Sequence, residues 1–101
     1  MNYNYYLVSH KDGDNNSIKI ENRLAVINKT PDYIIAKPKD TTKTLSGVYS
    51  IVDNSANKTF RVIVESVKMD NSLFSVKFKI IEESTISEEG KVILRQMFQD
   101  F

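Results

Sequence analysis

The sequence predicts a mostly β (α+β) protein: a small antiparallel β-barrel or curved sheet of six or seven strands with one C-terminal amphipathic helix. Turn-forming residues recur about every ten residues, and the segments between them are rich in β-branched and aromatic residues. Near the C-terminus the apolar period changes from that of a strand to that of a helix. The 101 residues have the common length of one domain, so we assign 1–101 to a single domain.

The first half of the chain predicts short extended segments separated by turns. Residues 11–16 form the first turn, because Asp, Gly and Asn tolerate the left-handed backbone of a hairpin. Thr30-Pro31-Asp32 is the second, because proline presets φ at the second turn position. The extended segments are 3–9, 17–21, 23–28 and 33–37, with a bend near Asn22.

The second half begins with a polar segment, 38–46, which predicts a surface loop. A strand at 47–52 follows, and then a turn-rich segment at 53–57. Residues 59–69 and 73–81 are the two longest predicted strands, and we expect them to form a hairpin.

The register of this hairpin follows from its apolar faces. Phe74, Val76, Phe78 and Ile80 share one face of the second strand, as Phe60, Val62 and Val64 do in the first. Both sets meet one core if Val64 lies opposite Phe78 and Val62 opposite Ile80, because a slip of one residue would expose a whole set.

The same register has two consequences at the tip of the hairpin. It places Glu65 opposite Lys77 and makes Asp70, Asn71 and Ser72 a three-residue loop. Val67 then falls out of phase, which predicts a bulge near Ser66.

The last segment predicts a helix at about residues 86–100, docked on an open end or a face of the sheet. Thr85 to Glu88 matches a capping box, with Ser87 as the competing N-cap, and Glu88 and Glu89 complement the helix dipole. The apolar stripe of this helix consists of Ile93, Leu94, Met97, Phe98 and Phe101.

Composition points to a soluble cytoplasmic protein of a bacterium or a phage. The chain contains no cysteine, begins with no apolar leader segment and has no apolar run of membrane-spanning length. Abundant Ile, Lys and Asn are typical of an AT-rich coding source. The net charge of +1 predicts no general affinity for nucleic acid.

No motif of catalysis, cofactor binding or metal binding is recognisable. His10 is the single histidine, and we expect it at the surface next to a turn. The run from Asp12 to Ser17 begins like a calcium-binding loop, but Ser17 and Arg23 occupy the positions that need glycine and glutamate. The three glycines are too few and too scattered for a phosphate-binding loop. No recognisable motif places a pair of candidate acid, base or nucleophile, so we expect no enzymatic activity.

Two groups of residues predict a possible interaction surface. On the first strand, Tyr3 and Tyr5 point to one face and Tyr6 points to the other, so both faces need cover. That strand is therefore either central or presents one face to a partner. The second group is basic and lies on the polar face of the long hairpin; it consists of Arg61, Lys77 and Lys79.

The C-terminal region resembles the end of a PilZ domain. The residues that carry the resemblance are the strand at 60–69, Phe74-Ser-Val-Lys-Phe78, Ile86-Ser-Glu-Glu89 and the apolar helix after them. The resemblance implies a β-barrel followed by a helix, and a role as a cyclic-dinucleotide effector or as a protein-binding relative. The Arg-x-x-x-Arg signature is not matched, and Asp53-Asn-Ser55 approximates the second signature but is followed by Lys58 instead of glycine.

The sequence therefore predicts a non-catalytic binding module that acts on a protein partner. Two alternatives remain open: a PilZ-like cyclic-dinucleotide effector, and a phage-encoded inhibitor of a host protein such as a defence protein. The sequence does not indicate an oligomeric state.

Overall fold

The computed structural model describes residues 2–10, 18–70 and 73–101. Within these ranges, six antiparallel strands close into a barrel and one helix follows them. The elements are β1 (Tyr5–His10), β2 (Ile18–Lys29), β3 (Tyr33–Pro38), β4 (Val48–Asp53), β5 (Lys58–Asp70), β6 (Leu73–Thr85) and α1 (Glu88–Asp100). The predicted fold class is confirmed.

The strands follow the order β1-β2-β3-β6-β5-β4 around the barrel, and β4 pairs with β1 to close it. β5 and β6 are paired along their full length, whereas β4 and β3 cover only 59–63 of β5 and 76–79 of β6. The long hairpin therefore extends beyond its neighbours.

β2 is one strand where the sequence predicts two segments. Leu7 pairs with Asn22 and Val8 with Ile20, so Glu21 forms a bulge at the predicted bend. A bulge bends a strand without ending its ladder, which is why 17–21 and 23–28 merge. The turn predicted at 11–16 lies outside the described residues.

The barrel interior contains the main core, to which every strand contributes. The loop between β3 and β4 adds Leu45, which is buried in this core, and Pro38 is the buried last residue of β3. The prediction of an entirely surface loop at 38–46 was therefore wrong at these two residues. The other buried members of the core are Leu7, Leu24, Ile34, Ala36, Ile51, Phe60, Val62, Val76 and Phe78.

The predicted register of the long hairpin is confirmed in its centre and wrong at its tip. Val64 pairs with Phe78 and Val62 with Ile80, as expected. The bulge predicted near Ser66 is present at Glu65, so Ser66 pairs with Lys77 and the predicted pairing of Glu65 with Lys77 is wrong. The bulge changes the parity of the pairing, and Asp70 pairs with Leu73. The connection is therefore 71–72, two residues outside the described ranges, and not the three-residue loop.

α1 docks on the outer face of the barrel, over β1, β2 and β4. Its N-cap is Ser87, whose Oγ accepts a hydrogen bond from the Gly90 amide at 3.1 Å. Leu94 and Phe98 are buried against a second apolar cluster formed by Tyr6, Val8, Ile20, Val52 and Ala56. Across the described ranges, no helix has the length and apolarity needed to cross a membrane.

Candidate functional site

The three tyrosines of the predicted interaction surface have different environments. Tyr5 pairs with Leu24 and packs against the core inside the barrel. Tyr6 points outward but is only 5% exposed, because α1 covers it. Tyr3 is half-buried, and its carbonyl oxygen accepts a hydrogen bond from Arg23 Nη2 at 3.1 Å. β1 is thus covered on both faces, which is one of the two alternatives left open by its sequence.

Tyr6 is the centre of the contact between the helix and the barrel. Its ring stacks on Phe98 with centroids 3.7 Å apart and the planes inclined by 2°. Phe101 meets the Tyr6 ring edge-on at 6.3 Å, and the Arg23 guanidinium lies 5.4 Å from its centroid. Aromatic pairs stabilise a contact beyond the area they bury. The structure therefore places Tyr6 in intramolecular packing and not on the surface.

Arg61, Lys77 and Lys79 lie together on the other side of the barrel. Arg61 is on β5, while Lys77 and Lys79 are on β6, and all three point outward because they alternate with buried Val62, Val76 and Phe78. Lys77 Nζ is 3.6 Å from Glu65 Oε2 and 4.1 Å from the centroid of the Tyr33 ring. Lys77 is thereby held by an ion pair and a cation–π contact.

Apolar side chains lie between these cations. Val48 pairs with Ile63, Ile63 with Lys79, and Lys79 with Tyr33, so the four form one row across four strands. Val48 and Ile63 are 48% and 37% exposed. We call this surface the open wall; it consists of Tyr33, Val48, Arg61, Ile63, Lys77 and Lys79. Sequence reasoning missed Tyr33, Val48 and Ile63, although the outward phase of Ile63 was visible from its alternation with Val62 and Val64.

A groove of about 400 Å³ separates the start of α1 from β1 and β4. Its walls are mostly apolar, and His10 and Ser50 add polar atoms, with His10 Nε2 and Ser50 Oγ 3.3 Å apart. A serine–histidine pair that transfers acyl groups needs a serine hydroxyl that the substrate can reach and a third group that orients the histidine. Ser50 instead lies within the paired strand β4, and no other hydrogen bond to the His10 ring is found among the described residues. The described residues of the groove thus hold one histidine–serine contact without an orienting third group.

A polar pocket of about 390 Å³ lies between β2 and the loop after β3. Asn22 is 3% exposed and joins the two segments: its Nδ2 donates to the Asp40 carbonyl at 2.8 Å, and its Oδ1 accepts from the Asp40 amide at 3.1 Å. Arg23, Lys39, Lys43, Glu21 and Phe101 complete the lining. Both sequence neighbours of Asn22, Glu21 and Arg23, are charged, so the burial of Asn22 and the pocket around it had no clear signal in the sequence.

Asp40 is held in this pocket as a carboxylate. Its Oδ1 accepts hydrogen bonds from the Thr42 hydroxyl at 2.6 Å and from the Thr42 amide at 3.0 Å. These bonds, with a smaller contribution from the charge of Lys43, hold the pKa of Asp40 below its ordinary value.

The segment that approximates the second PilZ signature builds a turn. Asp53 Oδ1 accepts hydrogen bonds from the amides of Asn57 and Lys58 at 2.8 and 3.2 Å, and Ala56 adopts a φ of 56°. The Ser55 carbonyl accepts hydrogen bonds from Arg95 of α1. The observed interactions of Asp53 and Ser55 are thus structural ones.

Among the residues that the structure describes, no group of three or more His, Asp or Glu side chains is arranged to hold a metal ion. The run that begins like a calcium-binding loop, Asp12 to Ser17, lies outside these residues.

Comparison of the chain with protein-family models, with curated proteins and with solved structures gives no match.

Proposed function

We propose that the protein is a non-catalytic binding module that engages a protein partner through the open wall. The observation that carries the proposal is the juxtaposition of exposed apolar and cationic side chains on one side of the barrel, opposite the side that α1 covers. Protein interfaces combine an apolar centre with a polar rim, and arginine and tyrosine are enriched in them.

The arrangement of the open wall indicates the chemistry of its partner. Val48 and Ile63 form the apolar centre, and Arg61 and Lys79 flank Ile63 along and across the strands. A partner with an apolar contact surrounded by carboxylates fits this wall, because complementary charge at the rim steers association and fixes orientation.

The wall is also rigid enough to act as a preformed surface. Its side chains project from strands paired on both sides, and Lys77 is restrained by Glu65 and the Tyr33 ring. Side chains already held in place lose less conformational entropy on binding, which favours affinity.

The test is capture of a partner by the purified protein from cells of the source, followed by binding measurements with the recombinant partner. We expect Ile63→Ser and Lys79→Glu each to weaken binding at least about tenfold, as loss of an interface hot spot does. The matched control is Lys19→Glu, because Lys19 is also an exposed lysine on a strand but lies beside Glu21, away from the open wall. Equal losses in all three variants, with folding intact, would contradict the proposal.

A phage-encoded inhibitor of a host protein is a special case of this proposal. A small protein that blocks a host factor would need only the binding surface described above. If the captured partner is a host enzyme or defence protein, its activity should fall on addition of wild-type protein and persist with Lys79→Glu.

A cyclic-dinucleotide effector is the second candidate, favoured by the C-terminal resemblance and by a barrel that ends in a helix. Such an effector needs a pair of guanidiniums to clamp the phosphates of the ligand. The three arginines of this chain lie on separate elements, β2, β5 and α1, which argues against this candidate. Calorimetry with cyclic di-GMP tests it directly. Saturable binding that persists in Lys79→Glu would favour this candidate over the protein-binding module.

A further inference from the structure

We propose that the polar pocket between β2 and the loop after β3 binds a phosphate monoester that carries a flat ring. This inference does not rest on the open wall, because none of the residues that line the pocket belongs to that wall.

The side chains that line the pocket carry opposite charges in unequal number. Arg23, Lys39 and Lys43 line the pocket together with two carboxylates, Glu21 and Asp40. The carboxylates are engaged locally: Glu21 accepts a hydrogen bond from Ser9 Oγ at 2.8 Å and lies 3.9 Å from Lys19, and Asp40 accepts its two bonds from Thr42.

Two of the three cations donate hydrogen bonds to backbone carbonyls: Arg23 Nη2 to Tyr3 at 3.1 Å and Lys43 Nζ to Glu21 at 3.3 Å. Among the described residues, none of Arg23, Lys39 and Lys43 forms an ion pair within 4.0 Å. Three cations and two carboxylates give the lining a net charge of +1, which favours an anion, and a doubly charged phosphate monoester gains most from several cations.

Hydrogen bonds hold the walls of the pocket in place before any ligand binds. Asn22 fixes the loop to β2 through both polar atoms of its side chain, and the Lys39 amide donates to the Arg23 carbonyl at 2.9 Å. Arg23 is restrained by the Tyr3 carbonyl and lies over the Tyr6 ring. A buried asparagine with satisfied hydrogen bonds contributes little to an apolar core but holds a polar site in shape.

The lining of the pocket also includes an exposed aromatic ring. Phe101 lines the same pocket and is 59% exposed, although its ring is held edge-on against Tyr6. An exposed aromatic face beside cations provides a surface on which a flat ring can stack while its phosphate reaches the lysines.

The experiment is calorimetry at low ionic strength with phenyl phosphate and with inorganic phosphate. We expect phenyl phosphate to bind in the millimolar range or tighter, and inorganic phosphate more weakly. The double variant Lys39→Gln/Lys43→Gln should lose at least about tenfold in affinity, because it removes two charge-assisted contacts. Phe101→Ala should remove the preference for phenyl phosphate over inorganic phosphate.

Lys19→Gln is the control, because Lys19 is a lysine of β2 that does not line this pocket. Lys39 and Lys43 are exposed, and thermal melts of each variant verify that the barrel is intact. No saturable binding of phenyl phosphate, or equal binding by the wild type and the double variant, would overturn the proposal. Binding only to vesicles that contain phosphatidic acid would also overturn it, since the pocket would then recognise a lipid headgroup and not a free ligand.

Discussion

The two outer sides of the barrel obey the same strand alternation but have opposite environments. On β1 and β2, the outward side chains Tyr6, Val8 and Ile20 are apolar, and α1 buries them. On β5 and β6, the outward side chains include Arg61, Lys77 and Lys79, and no described element covers them. A helix can dock on the first side without removing charges from water, which would cost free energy on the second.

The two sides therefore contribute differently to the stability of the fold and to the proposed recognition of a partner. The helix-covered side adds a second apolar cluster to the barrel core, so its residues stabilise the fold. The open wall keeps apolar side chains in water and therefore gains little from folding. The loss in the free energy of unfolding caused by a substitution should therefore increase with the burial of the side chain, from the open wall to the helix-covered side to the barrel interior.

Phe78→Ala tests the interior that both sides share and should have the largest effect. Phe78 is fully buried opposite Val64, so its truncation loses burial and leaves a cavity. We expect a loss of about 3–5 kcal/mol in the free energy of unfolding, measured by urea melts. A domain of ordinary stability would be grossly destabilised by this change. A loss below about 1 kcal/mol would place the core elsewhere.

Phe98→Ala tests the helix-covered side. Phe98 is largely buried by its stack on Tyr6 but lies at the outside of the barrel, so we expect a smaller loss of about 2–3 kcal/mol. Hydrogen exchange should show that the amides of α1 lose protection before those of β5, because a docked helix opens as a local unit. Gln99→Ala, at the exposed neighbouring residue, is the control. Simultaneous loss of protection in α1 and β5 would mean that α1 does not open independently of the barrel.

The centre of the long hairpin was predictable because its two apolar faces leave one compatible register. Val64 and Phe78 could be paired from sequence for this reason. The bulge predicted near Ser66 is present one residue away, at Glu65, but the three-residue loop was derived from uninterrupted pairing and is therefore wrong. A second irregularity leaves Ile81 outside the ladder and carries β6 on to Thr85, beyond the end predicted at residue 81.

The sites were less predictable than the fold. The outward apolar residues of β1 indicated that this strand needs cover on both faces, but nothing in their pattern identified α1 as the cover. The polar pocket brings Asn22 together with Asp40, and this proximity depends on the pairing of β2 with β3. Arg61, Lys77 and Lys79 were found from sequence because alternation alone places them outside.

Ser87→Ala tests the start of α1, where the sequence is compatible with either Thr85 or Ser87 as the N-cap. Ser87 Oγ accepts the Gly90 amide, so its loss leaves one amide without a partner in the protein. We expect a loss of about 1 kcal/mol, measured by thermal or urea melts. Thr85→Ala is the matched control, because Thr85 is the competing cap and lies at the end of β6. A larger loss for Thr85→Ala would contradict the observed cap.

Lys77→Ala tests the open wall and should have the smallest effect on stability. The Lys77 and Glu65 side chains are 41% and 40% exposed, so solvent screens their ion pair. The contact with the Tyr33 ring adds a comparably modest stabilisation. We expect a loss of about 1 kcal/mol or less in urea melts, decreasing further at high salt.

Lys77→Met separates charge from packing on the same wall, because methionine keeps an apolar chain over the Tyr33 ring but removes the ammonium group. Stability close to wild type in Lys77→Met, with a small loss in Lys77→Ala, would assign the effect to packing. A loss for Lys77→Ala equal to that for Phe78→Ala would mean that β6 is turned over and that the assigned core is wrong. If Lys77→Ala stays folded but no longer captures the partner, Lys77 contributes to recognition more than to stability, as the contrast between the two sides requires.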